Sequence, residues 1–151
     1  MGIKKEAINF VVRVLINKRI IAGAPAIIIN KKGGILLGKR SNDLPFYPSM
    51  WGLPGGIIEY NESPEDAIKR ELKEEMGVLV KVKKPGKPCM HFPDKNCPIQ
   101  ILDVPFYCKI QKGEPKAKDE TSEVKWFKPK EIKNMKLAYE HKKILKQEGI
   151  I

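Results

Sequence analysis

The run Gly55-Gly56-Ile57-Ile58-Glu59-Tyr60-Asn61-Glu62-Ser63-Pro64-Glu65-Asp66-Ala67-Ile68-Lys69-Arg70-Glu71-Leu72-Lys73-Glu74-Glu75-Met76-Gly77-Val78 decides the reading of this chain. Ser63 suits a helix N-cap, Pro64 the first helical position, and Asp66 the third, where it can reach back to the cap. Gly77 suits the left-handed residue that ends a helix. The spacing therefore predicts a helix from Pro64 to about Met76. Ile68, Leu72 and Met76 recur four apart and form one apolar stripe. Glu71, Glu74 and Glu75 stand at i, i+3 and i+4, so their side chains can converge. Three carboxylates at that spacing repel one another. A hard divalent cation, which prefers carboxylate oxygens, would remove the repulsion.

Around this helix the chain is strongly basic. It has 151 residues, 29 Lys and Arg against 18 Asp and Glu, and a net charge of +11. The length suits one domain with a real core. The charge favours anionic partners such as nucleotides and polyphosphates. The basic residues are scattered, and no basic–aromatic interleaving marks a nucleic-acid motif. No apolar run is long enough for a membrane span. Cys89, Cys97 and Cys108 form an odd set without a Cys-x-x-Cys pair, which points to a reducing, cytoplasmic setting. Cys89, His91 and Cys97 lack the paired spacing of a zinc site.

Residues 4 to 18 read as an amphipathic helix, a candidate dimer contact. Ile20 to Asn30 and Ile35 to Arg40 read as strands joined into a hairpin by the Lys31–Gly34 turn. Residues 41 to 50 are a loop, in which Phe46 and Tyr47 are candidates to stack on a base. Arg40 offers a planar fork for phosphate. Val78 to Val82 reads as a strand. Pro88 to Phe92 and Cys97 to Ile110 read as a hairpin turning at residues 93 to 96, with Phe92 and Tyr107 as further stacking candidates. Glu120 to Phe127 reads as the last strand, Pro129 to Ile132 as a helical turn, and Leu137 to Gln147 as a terminal helix with His141 packed inside.

Gly56, Glu62, Arg70-Glu71-Leu72, Glu74-Glu75 and Gly77-Val78 fill every specified position of the Nudix box. The chain thus resembles the Nudix hydrolase (MutT-like) superfamily over about residues 20 to 147. The resemblance implies an α/β/α sandwich around a mixed sheet, with residues 1 to 19 as an extension and 20 to 151 as the domain. It implies Mg²⁺, or Mn²⁺, held by Glu71 and Glu75, by Glu74 directly or through water, and by the Gly56 carbonyl. Glu62 and Arg70 would pair to fix the loop. Glu74, Glu75 and Glu120 are the catalytic candidates. Glu120 is placed as a late acidic ligand or base, with Asp119 and Glu123 as rivals. The implied reaction is hydrolysis of the diphosphate in a nucleoside diphosphate linked to another group, with ADP-ribose or a nucleotide sugar favoured. The alternatives are removal of non-standard or oxidised nucleoside triphosphates, an RNA 5′-end-directed protein, and a non-catalytic nucleotide or RNA binder. A homodimer acting on a small nucleotide is the expected assembly.

Overall fold

The computed structural model describes residues 6–7 and 19–151. Apart from Glu6 and Ala7, the expected helix over residues 4 to 18 lies outside the described residues. Strand β1 (Ile20–Ile28) is the axis of the molecule. One of its edges carries β7 (Gln100–Asp103) and β8 (Phe106–Lys112), both parallel to it. The register is constant, from Ile20 opposite Gln100 to Ile28 opposite Cys108, so β7 and β8 are one long strand interrupted at Val104-Pro105. Pro105 has no N–H to give to the ladder. Strand β4 (Gly55–Ile57) runs antiparallel on the other edge of β1. β5 (Leu79–Pro85) pairs with β8, and β6 (Cys89–His91) with β7, completing a mixed sheet. A second, antiparallel sheet has the order β3 (Trp51–Gly52), β2 (Ile35–Arg40), β9 (Thr121–Phe127).

Side chains that alternate along β1 and β2 serve two helical layers. Ala24, Ala26, Ile28 and Leu36 meet Ile68, Leu72 and Met76 of helix α1 (Pro64–Met76). Ile27, Ile35 and Leu37 face the opposite way. They meet Ile132 of α2 (Pro129–Lys133) and Ile144 and Leu145 of α3 (His141–Gln147). Helices thus cover both faces of the strands, as the expected α/β/α sandwich requires.

Three expectations need correction. β1 and β2 are not a laddered hairpin: Ile29 opposite Ile35 is a single bridge, after which the strands enter different sheets. The turn itself is real, closed by the Asn30 side chain accepting from the Lys32 and Gly34 amides at 2.9 and 2.8 Å. The stretch 97 to 110 is two strands rather than one. The terminal helix begins at His141, not Leu137. Leu137 bridges Trp51 instead, the Ala138 amide donates to the Trp51 carbonyl at 2.8 Å, and Tyr139 adopts φ 52°, a left-handed conformation that cannot continue a helix. The turn at residues 93 to 96 forms as expected, with Asp94 accepting from the Asn96 and Cys97 amides. Cys89 stands opposite Asp103, and all three cysteines are free and buried.

Candidate active site

Helix α1 is capped as its sequence requires. The Asp66 amide donates to the Ser63 hydroxyl at 3.1 Å, and Gly77 closes the C-terminus at φ 68°. The loop after β8 then caps the same end. The Lys116 and Lys118 amides donate to the Met76 and Glu75 carbonyls at 3.1 and 2.9 Å. This pins the loop just ahead of Glu120, bringing a residue far along the chain to the carboxylates of α1.

Those carboxylates open on a cleft of about 330 Å³ between the two sheets. Glu71, Glu75, Glu120, Gly56, Arg40 and Phe46 all line it, as the sequence anticipates. Burial pushes the Glu75 carboxyl up to about 8. The Gly55 amide, donating at 3.2 Å, opposes this, while Glu71 and Glu120 add to it. Burial also raises Glu71, against the pull of Arg70. Carboxyls raised first by burial and then by one another's charge are groups whose ionised form a cation would favour.

Arg70 organises the rim. Its Nε and Nη2 donate to the two oxygens of Glu62 at 2.7 and 3.0 Å, a bidentate pair, and its Nη1 donates to Glu71 at 2.7 Å. Nη2 also reaches the Ile57 carbonyl at 3.2 Å, tying β4 to α1. The Arg70 hydrogen bonds hold Glu62 down at about 2. A Cβ on Gly56 would lie 2.5 Å from Oε1 of Glu71, so only glycine lets this backbone approach the carboxylate.

The residues fit a divalent ion. Among the described residues no three acidic, histidine or cysteine side chains close on one point. A hard divalent ion takes few protein carboxylates and completes its shell with waters and phosphate oxygens. Glu71, Glu75, Glu120 and the Gly56 carbonyl are the groups that could hold it.

Other candidates lie elsewhere. Glu74 is outside the cleft, with its side chain 49% exposed and its carboxylate 3.4 Å from Arg70. Tyr47 is buried in the core, its hydroxyl hydrogen-bonded to Asp94 and its ring against Tyr139, so it has no free face for a base. Phe92 is exposed and away from the cleft. Tyr107 donates to Glu148 at 2.7 Å, also away from the cleft. Of the rivals to Glu120, Glu123 is paired with Lys39 at 2.7 Å, and neither it nor Asp119 lines the cleft.

The structure adds residues the sequence did not single out. Tyr139 lines the cleft, with the Arg40 guanidinium 5.3 Å from its ring centre, and Nε of Arg40 donates to the Phe46 carbonyl at 2.9 Å. His141 also lines it and accepts from the Leu53 amide at 2.9 Å through Nδ1. Burial holds it neutral, down at about 3. Asp103 lines it from β7, where burial, helped by Glu140, pushes its carboxyl up to about 7. No spacing signals these three, since each arrives from its own element.

Known proteins show what the whole chain is similar to. The NUDIX domain family matches residues 20–147. The chain is 38% identical over 120 residues to a protein of Methanocaldococcus jannaschii named ADP-ribose pyrophosphatase, covering 79% of this chain and 68% of that one. It is 26% identical over 132 residues to the Escherichia coli nucleoside triphosphatase NudI, covering 82% of this chain and 94% of that one. Its fold is similar to the crystal structure of a MutT protein from Methanosarcina mazei Go1, with a TM-score of 0.75, 24% identity, and coverage of 89% and 94%. The chain therefore belongs to the NUDIX domain family, and its chemistry is that of a pyrophosphohydrolase.

Proposed function

We propose that this chain hydrolyses the diphosphate of a nucleoside diphosphate joined to a further group, ADP-ribose or a nucleotide sugar, with Mg²⁺ or Mn²⁺ as cofactor. The observation that carries this is the convergence of Glu71, Glu75, Glu120 and Arg40 on one cleft sized for a small molecule. The 38% identity to the M. jannaschii ADP-ribose pyrophosphatase supports the choice of substrate. Glu71, Glu75, Glu120 and the Gly56 carbonyl would hold the ion, which would supply charge neutralisation for the phosphates and make water a better nucleophile.

The chain's own groups do the rest. Arg40, fixed by the Phe46 carbonyl and stacked near Tyr139, presents its remaining donors to a phosphate oxygen. Glu120 accepts the proton of the attacking water. The new bond forms from water oxygen to phosphorus, the anhydride P–O bond breaks, and a nucleoside monophosphate and a phosphate-bearing group leave. Arg70 and Glu62 hold β4 against α1, so Gly56 stays beside Glu71. The free, buried thiols support a reducing, cytoplasmic setting. The N-terminal segment, residues 1 to 19, is proposed as a separate extension that contributes to a homodimer.

A second reading, hydrolysis of non-standard nucleoside triphosphates, draws on the 26% identity to NudI over nearly all of that protein. Turnover of ADP-ribose, UDP-glucose and a nucleoside triphosphate panel with Mg²⁺ tests both. The first reading expects a kcat/KM at least ~10-fold higher on the sugar-linked diphosphates than on any triphosphate, a difference within reach of pocket contacts. The opposite order favours the second, and no release from any compound overturns both.

A further inference from the structure

Asp103 is the one acidic side chain of the cleft with no place in that chemistry. Its residue is 5% exposed, yet it lines the cleft. Among the described residues nothing donates a hydrogen bond to its carboxyl, and the charge that acts on it is another carboxylate, Glu140. Gly23 opens the space it occupies: a Cβ there would lie 2.2 Å from Oδ1 of Asp103. A carboxyl in the wall of a cleft that takes no hydrogen bond from the described residues is open to a ligand that brings donors.

Its position selects which part of a ligand that is. In the sheet Gly23 lies between Asp103 on one edge and Ile57 on the other. Neighbouring strands are ~5 Å apart. The Asp103 oxygen over Gly23 is therefore about one strand spacing from the β4 backbone whose Gly56 abuts Glu71. Asp103 lines the same cleft as Glu71 and Glu75, so a substrate whose diphosphate sits at those two has another of its groups to set beside Asp103. A carboxylate repels phosphate, so this end of the cleft takes N–H and O–H donors.

We propose that Asp103 is the specificity-determining residue of this cleft, accepting hydrogen bonds from a donor on the nucleoside half of the substrate, either a base amino group or the 2′-hydroxyl of the sugar. The proposal rests on the reading of the cleft as a nucleotide site. Gly23 is its counterpart, since any side chain there would displace the carboxyl.

The test is calorimetric binding of AMP, IMP and 2′-deoxy-AMP to the wild-type chain, D103N and D103A, with melting curves to establish folding. IMP lacks the base amino group and 2′-deoxy-AMP one sugar hydroxyl. The wild type should bind AMP ~10–100-fold more tightly than whichever analogue lacks the recognised donor. D103A should bring AMP to that analogue's level and leave the analogue itself unchanged. D103N, nearly the same shape with one acceptor kept, should fall between them and guards against a folding defect in D103A. In turnover of ADP-ribose the loss should appear in KM, with kcat within about twofold, because the contact is made to the nucleoside and not to the diphosphate that reacts. Equal wild-type binding of all three ligands, or a parallel loss on all three in D103A, overturns the proposal. If those results come with normal wild-type turnover, only the role of Asp103 falls. If the wild type neither binds AMP nor turns over any nucleotide, the reading of the cleft falls and takes this proposal with it.

Discussion

Glu71, Glu74 and Glu75 leave one helix but meet three environments, and the helical angle explains why. At about 100° per residue, the core stripe of Ile68, Leu72 and Met76 spans about 60–140° from Glu71. Glu75 lies at about 40°, against the stripe. Glu74 lies at about −60°, on the solvent side, where it meets Arg70. The box was legible in the sequence, but spacing that lets three side chains converge does not say which are pressed into a cleft. Asp103, Tyr139 and His141 were not legible as site residues, because register with β1, a positive φ and an amide of Leu53 put them there. Gly56→Ala tests the close approach to Glu71. Gly56 does not use a positive φ, so the melting temperature should hardly move, while Mg²⁺ affinity by calorimetry should fall at least ~10-fold. The raised carboxyls give a pH signature. Glu75 at about 8 and Asp103 at about 7 hold protons in the folded chain that the unfolded chain releases near pH 4. Their contribution to stability is therefore full below about pH 4 and lost as pH rises through 7 and 8. His141, with its lowered pKa, acts in the opposite direction only below about 6.5. Between pH 6.5 and 8 the metal-free protein should lose stability, by at most ~1.4 kcal/mol per pH unit per group. Denaturant melts should show a flatter slope for Glu75→Gln than for the wild type.

At the scale of elements, α1 carries both core and site. Local chemistry specified it fully: the Ser63 cap, Pro64, the four-residue stripe and Gly77 all act within one or two turns. Leu72, fully buried at its centre, packs into the core shared with Ala24, Leu36 and Phe106. Leu72→Ala should cost about 2–5 kcal/mol, read by urea denaturation at a fixed pH, with activity falling in parallel as the helix loosens. The misread elements depend on partners distant in sequence. A turn as sound as Asn30–Gly34 says nothing about which strands its arms will join. β1 takes β4, β7 and β8 as neighbours, and β2 takes β3 and β9. The terminal helix starts late because residues 137 and 138 bond to Trp51, a contact absent from any local pattern.

At the scale of the molecule, two sheets wedge apart to make one cleft. Glu71 and Glu75 reach it from α1, Arg40 from the end of β2, Glu120 from just before β9, and Asp103 from β7. The +11 charge is compatible with an anionic ligand but points to no place for one, and only the fold brings Glu71, Glu75 and Glu120 to one cleft. The extension before β1 belongs to this scale too. Deleting residues 1–18 should halve the mass measured by light scattering, while a mass unchanged apart from the deletion would remove the segment from any dimer contact. A role for the Glu75 side of α1 in a metal-dependent attack on a diphosphate is read most directly from product release from ADP-ribose across a Mg²⁺ titration, with wild type and Glu75→Gln side by side. The wild type should release AMP and ribose 5-phosphate only when Mg²⁺ is added, and Glu75→Gln at least ~100-fold less at every concentration. Release that ignores Mg²⁺, or that survives unchanged in Glu75→Gln, would contradict it.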